Sequence, residues 1–140
     1  MQLRGHHLLC LLGFQGHGYS ASFIEKMDEL SMKYQDPDQD FPIKITSHAD
    51  QICRSCPFVK GKNCGINPIV DQKLREMDQR ILHHLGLQSE HTYNKAFVLA
   101  RISKTVKPND LDVLCKGCVW KKYGVCKEAI DELNKELPQN

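Results

Sequence analysis

Two stretches of this chain carry the same cysteine pattern, and the duplication restricts the fold more than any other feature. The first, C-R-S-C-P-F-V-K-G-K-N-C, sets Cys53, Cys56 and Cys64 in a C-x2-C-x7-C arrangement. The second, C-K-G-C-V-W-K-K-Y-G-V-C, sets Cys115, Cys118 and Cys126 at identical spacings. The copies also share an aromatic two residues after the second cysteine, Phe58 and Trp120, and a lysine two further on, Lys60 and Lys122. Two residues between cysteines let the backbone curl so that both sulfurs point at one centre, and a third can return at the end of a loop. Disulfides or unrelated buried thiols give no reason for matching triplets, so the pattern points to metal.

Zinc sites and cubane iron-sulfur clusters both usually take four protein ligands, so each triplet is one short. The chain has seven cysteines, and the one outside the repeats is Cys10, in R-G-H-H-L-L-C. Cys10 is therefore the candidate fourth thiolate for one site. His6 and His7 lie four and three residues before it, on roughly the same face of a helix. One of them could be an eighth ligand, orient a ligand, or hydrogen-bond to cluster sulfur. The competing reading makes Leu8, Leu9, Leu11 and Leu12 a buried helix, with Cys10 a small core residue and the histidines bonded to backbone oxygens.

The setting of these cysteines is expected to be cytoplasmic. Arg4 precedes an apolar stretch that could pass for a signal peptide, but the stretch is short, follows paired histidines and is broken by Gly13, Gly16 and Gly18. No apolar run approaches a membrane span. The 140 residues suit one domain, 1–140, with the internal repeat at 53–64 and 115–126. A net charge of +2 is too mild to imply a nucleic-acid partner. In a reducing compartment, regularly spaced cysteines indicate metal or redox chemistry.

Zinc and iron-sulfur are separated by how the cysteines group. Cys53, Cys56, Cys115 and Cys118 would make one four-thiolate zinc site, but that leaves Cys64 and Cys126 unexplained. A triad per site uses all six, in the manner of cubane clusters that combine closely spaced cysteines with a remote one. Arg54, Lys60 and Lys62 surround the first triad, and Lys116, Lys121, Lys122 and Lys127 the second. Such cations favour thiolates and would suit an acidic redox partner protein, although a solvated basic face is the plainer explanation.

The rest reads as a mainly α scaffold of about five helices holding two cysteine-rich loops. Ser22 with Glu25 is a capping-box pattern, and Phe23, Met27, Leu30 and Tyr34 follow at helical spacing. Phe41 to Thr46 is at best a short extended segment before the next helix. Asn67 and Pro68 open a long helix with a stripe of Val70, Leu74, Met77, Ile81 and Leu85, ended by Gly86. Thr92 is expected to cap a helix running towards Val106, and a last helix starts near Val125 with Cys126 in its first turn. His83 and His84 fall at a helix end, where polar residues are ordinary, and 13–18 reads as a tight connection.

Together, R-G-H-H-L-L-C-L-L-G-F-Q-G-H-G-Y-S and the two C-x2-C-x7-C segments resemble a small prokaryotic family known as domain of unknown function 1284. The resemblance runs over nearly the whole chain. It implies an iron-sulfur-binding protein, with Cys10, His6, His7 and both triads as the positions of interest, and names no reaction. The expected function is electron transfer or redox sensing through one or two [4Fe-4S] clusters. The alternatives are a zinc-stabilised interaction module, or an enzyme with an open cluster iron near His6 and His7.

Overall fold

The computed structural model describes residues 1–14, 20–47, 50–53, 59–60, 63–64, 68–114 and 125–136. Six α-helices occur among them, one more than expected, because the short segment Leu111–Leu114 also forms a helix. The first, α1 (His7–Gly13), is only two turns long and too short to persist alone. It persists because it is buried nearly all round: His7, Leu8, Leu9, Cys10, Leu11 and Gly13 are all inside.

Helix α2 (Ala21–Gln35) lies along α1 and buries Phe23, Met27, Leu30 and Tyr34, the stripe read from the sequence. Its cap is Ser20 rather than Ser22: the Ser20 hydroxyl accepts the Phe23 N–H at 3.2 Å. The two helices are joined by polar bonds as well as apolar ones. Ser31 Oγ donates to the Leu11 carbonyl at 3.2 Å, Gln35 Nε2 to the same oxygen at 2.6 Å and to Leu12 at 3.3 Å. Carbonyls that the end of α1 would leave unpaired are thereby satisfied from α2. Tyr34 adds a 2.7 Å bond from its hydroxyl to the Leu8 carbonyl.

A three-stranded sheet carries the start of the chain into the core. β1 (Gln2–Leu3) pairs parallel with β2 (Pro42–Ile45), in the segment expected to be extended, with Gln2 opposite Lys44 and Leu3 opposite Ile45. A second pair of strands, β3 (Val59–Lys60) and β4 (Asn63–Cys64), forms an antiparallel ladder with Val59 opposite Cys64. The third strand of the first sheet is β5 (Thr92–Asn94), antiparallel to β2. Ile43 and Ile45 point inward from β2 while Pro42 and Lys44 face out, the alternation of a strand with one covered face. Thr92 is thus a strand residue, not a helix cap. The helix expected there, α4 (Lys95–Thr105), begins after Asn94. Pairing of Pro42, Ile43 and Lys44 with Asn94, Tyr93 and Thr92 overrides the local capping preference.

The long helix α3 (Pro68–Leu85) ends as its sequence indicates. Gly86 takes φ +72°, and the bonds from its N–H to the His83 carbonyl and from Leu87 N–H to the Leu82 carbonyl close a Schellman turn. α5 (Leu111–Leu114) follows a single 3-10 turn at Pro108–Asp110, and α6 (Val125–Glu136) packs against α1. Lys95 is buried, and its Nζ donates to the Lys33 and Asp36 carbonyls at the end of α2. The buried apolar residues of these elements make one cluster, centred on α1 and its neighbours. No described helix is long and apolar enough to cross a membrane.

Candidate metal centre

The turn Arg4–His6 between β1 and α1 is where the polar groups of the interior collect. Gly5 makes this possible: a Cβ there would lie 2.7 Å from the backbone oxygen of Asp78 and 3.0 Å from its Cα. The turn therefore sits directly on α3, and only glycine leaves room for that contact. Asp78 occupies this junction with its side chain 2% exposed, and Arg4 is equally buried. Arg4 Nε donates to Asp78 Oδ2 at 2.7 Å, while His6 gives Oδ1 its backbone N–H at 2.9 Å and its Nδ1 at 2.6 Å.

A second carboxylate, Asp50, does the same for His7. His7 Nδ1 meets Asp50 Oδ2 at 2.6 Å, and the Arg4 backbone N–H donates to that oxygen at 2.8 Å. Oδ1 accepts the N–H groups of Ile52 at 2.9 Å and Cys53 at 3.0 Å. One buried carboxylate thus holds both the His7 ring and the backbone of Cys53, the first cysteine of the first triad. A His7 ring nitrogen, an Asp50 oxygen and Cys53 Sγ all lie within 4.8 Å of one another. Arg4 Nη1 approaches the same sulfur at 3.8 Å.

These contacts fix the charges. Burial tends to raise the pKa of Asp50, but His7, with the bonds from Cys53 and Arg4, outweighs it and holds the carboxyl well below the usual range. Asp78 is held down in the same way, by His6 and Arg4 against burial. Burial and then the His7 ring keep His6 below its ordinary value, despite Asp78. Burial works against the Arg4 charge too, yet Asp78 and Cys53 together raise it. Both carboxylates are therefore acceptors, and the two imidazoles, whose centroids are 4.2 Å apart, donate through Nδ1. In its neutral form, an imidazole held through Nδ1 presents Nε2 with its lone pair, the form that binds metal.

Two observations fit a cation or metal-bound sulfur at this point. Two buried carboxylates face one buried guanidinium, so added positive charge is accommodated. Arg4 Nη2 is buried and has no hydrogen-bond partner among the described residues, a donor that a metal-bound sulfur would satisfy. Burial and then Asp50 push the Cys53 thiol up to about 12. A metal bound there would have to displace a proton that the thiol otherwise keeps, which works against binding.

The residues singled out from the sequence divide into three groups. Cys53, His6 and His7 come together around Arg4, Asp50 and Asp78. Cys10 is buried one turn further along α1, near enough to Tyr34 to help burial push its phenol up. Cys64 in β4 and Cys126 in the first turn of α6 are placed by their backbone, and Cys56, Cys115 and Cys118 lie outside the described residues, as do Phe58 and Trp120. The histidines bond to carboxylates rather than to the backbone oxygens of the simpler expectation. His84 instead donates Nε2 to the Thr105 carbonyl at 2.7 Å, away from this cluster.

Asp50, Asp78 and the role of Arg4 were not apparent from the sequence. Asp78 did leave a signal: it falls four residues after Leu74 and three before Ile81, an acid in register with the apolar stripe of α3. Asp50, three residues before Cys53, resembles any turn residue until its partners are known.

No curated protein and no solved structure matches the chain. A family model described as "Protein of unknown function (DUF1284)" matches residues 18–124, a span that includes Asp50, Cys53, Cys56, Cys64, Asp78, Cys115 and Cys118. With most of its length matched, and with Cys53 and the buried Asp50 and Asp78 inside the matched span, the chain belongs to the DUF1284 family.

Proposed function

We propose that the protein is an iron-sulfur protein of electron transfer or redox sensing, holding one or two [4Fe-4S]-type clusters. The observation that carries this reading is the meeting of half-buried Cys53, first cysteine of a duplicated C-x2-C-x7-C triad, with buried His7 and Asp50. Cys53, Cys56 and Cys64 would hold one cluster, and Cys115, Cys118 and Cys126 the other. Cys10 would complete one of the two sets. A bound cluster supplies one-electron transfer. The chain's own contribution is to keep water from the site through the core around α1, and to offset thiolate charge with the buried Arg4. The lysines flanking both triads would dock an acidic partner protein in the cytoplasm.

Zinc is the second reading, favoured by the donor set itself, since thiolate, imidazole and carboxylate are all common zinc ligands. It would make the protein a metal-stabilised interaction module. Anaerobic purification followed by the visible spectrum and by iron, sulfide and zinc analysis separates the two. Brown protein with near-equal iron and sulfide is the expected result; zinc without iron or sulfide overturns the cluster reading.

A further inference from the structure

We propose that His7 is a ligand of the metal centre that Cys53 helps to hold, with Asp50 as the positioning residue that fixes its ring; this rests on Cys53 being a metal-binding cysteine. The distances bring three candidate donors together, so the question is which of them bind. Asp50 is the least suited of the three. An ionised carboxylate offers about four acceptor sites. Those of Asp50 are taken by His7 Nδ1, Arg4 N, Ile52 N and Cys53 N, at 2.6 to 3.0 Å. To ligate, it would have to release a buried N–H. His7 has nothing to release. Nδ1 is the ring atom engaged with Asp50, and among the described residues no partner occupies Nε2.

The neighbouring candidates are directed elsewhere. His6 is held by Asp78 on α3 and is not part of the group of donors that meets around Cys53. Cys10 is buried on the side of α1 that meets Tyr34 of α2. One turn of helix thus sends Cys10 and His7 to different surroundings. The ligand count agrees: two four-ligand sites need one donor beyond the seven cysteines. A carboxylate bonded to the far nitrogen of a ligating imidazole orients the ring and raises its basicity.

The test uses anaerobically purified full-length protein, reduced with dithionite and examined by pulsed electron paramagnetic resonance. A nitrogen coupling of the size given by a directly bound imidazole is expected. It should change its pattern on labelling with 15N-histidine, persist in His6→Ala and vanish in His7→Ala. His7→Cys should keep the metal and give an all-sulfur spectrum. Asp50→Asn should keep the coupling but raise the reduction potential, because a less basic imidazole stabilises the oxidised centre less; an unchanged potential removes Asp50 from its role. A cluster without imidazole coupling in the wild type overturns the His7 assignment and leaves the cluster reading standing. Should the protein hold zinc alone, the cluster reading fails while His7 is still decided. Imidazole scattering in the zinc absorption edge, lost in His7→Ala, supports it, and a sulfur-only shell overturns it. Because the labelled wild type shows by itself whether an imidazole is bound, the assignment can be overturned even where the variants do not fold.

Discussion

Replacing Asp78 by alanine should be among the most damaging single changes in the chain, for an electrostatic reason. The side chains of Asp78 and Arg4 are both 2% exposed, so solvent cannot take over when one partner is removed. Alanine leaves Arg4 Nε, His6 N and His6 Nδ1 without their acceptor at once. Breaking a buried ion pair from one side costs about 3–5 kcal/mol. Against the roughly 5–15 kcal/mol that holds a typical domain together, that is a fifth or more of the total. With a urea dependence of about 2 kcal/mol per molar, the unfolding midpoint should fall by roughly 1.5–2.5 M. The assay is urea unfolding followed by far-ultraviolet circular dichroism. Metal content is measured on every sample, because bound metal adds its own stabilisation.

The control is the double variant Arg4→Met with Asp78→Leu. It removes both charges together and should recover much of the loss, since no uncompensated guanidinium remains buried. A midpoint shift for Asp78→Ala below about 0.5 M would refute the reasoning. So would a double variant no more stable than the single one, which would show that the loss does not arise from the orphaned charge.

Gly5→Ala places a methyl group 2.7 Å from the Asp78 backbone oxygen. A loss of about 1–3 kcal/mol is expected, read as a drop of several degrees in Tm, and an unchanged Tm would mean the junction of α1 with α3 is looser than described. Cys10→Ser should remove one site's worth of iron and sulfide, with full metal content as the opposing result. Acid should weaken the fold in two stages. His6 is held below its ordinary value near 6.5, so the unfolded chain takes up that proton first and stability declines as pH falls below about 6.5. The depressed carboxyls of Asp50 and Asp78 contribute fully above about 3.9, and that contribution is lost as pH falls through their lower folded values. Tm measured from pH 8 to 5 should therefore slope less in His6→Asn than in the wild type, and equal slopes would remove His6 as the source.

Helices set by apolar period and punctuation were legible in the amino-acid order. The stripe Phe23, Met27, Leu30, Tyr34 of α2, the Gly86 stop of α3 and the start of α6 at Val125 all lie where local preference puts them. The role of Thr92 was not, because strand pairing with β2 is a contact across 48 residues and leaves no local mark. Ser20 replaced Ser22 as a cap for a related reason: nearby serines offer the same chemistry, and the packing of α2 on α1 settles the register.

The duplicated cysteine spacing and the pairing of His6 and His7 with Cys10 belong to the sequence alone, since short-range geometry suffices to mark them as candidate ligands. Which atoms meet was decided by the fold. Arg4, Asp50 and Asp78 are separated by 46 and 28 residues, and each taken singly is an ordinary polar residue. Only when β1 pairs with β2 and Gly5 lets the turn rest on α3 do they become a buried network around Cys53. Burial then does what no motif encodes: it makes their charges costly to leave unpaired and so fixes each imidazole against one carboxylate.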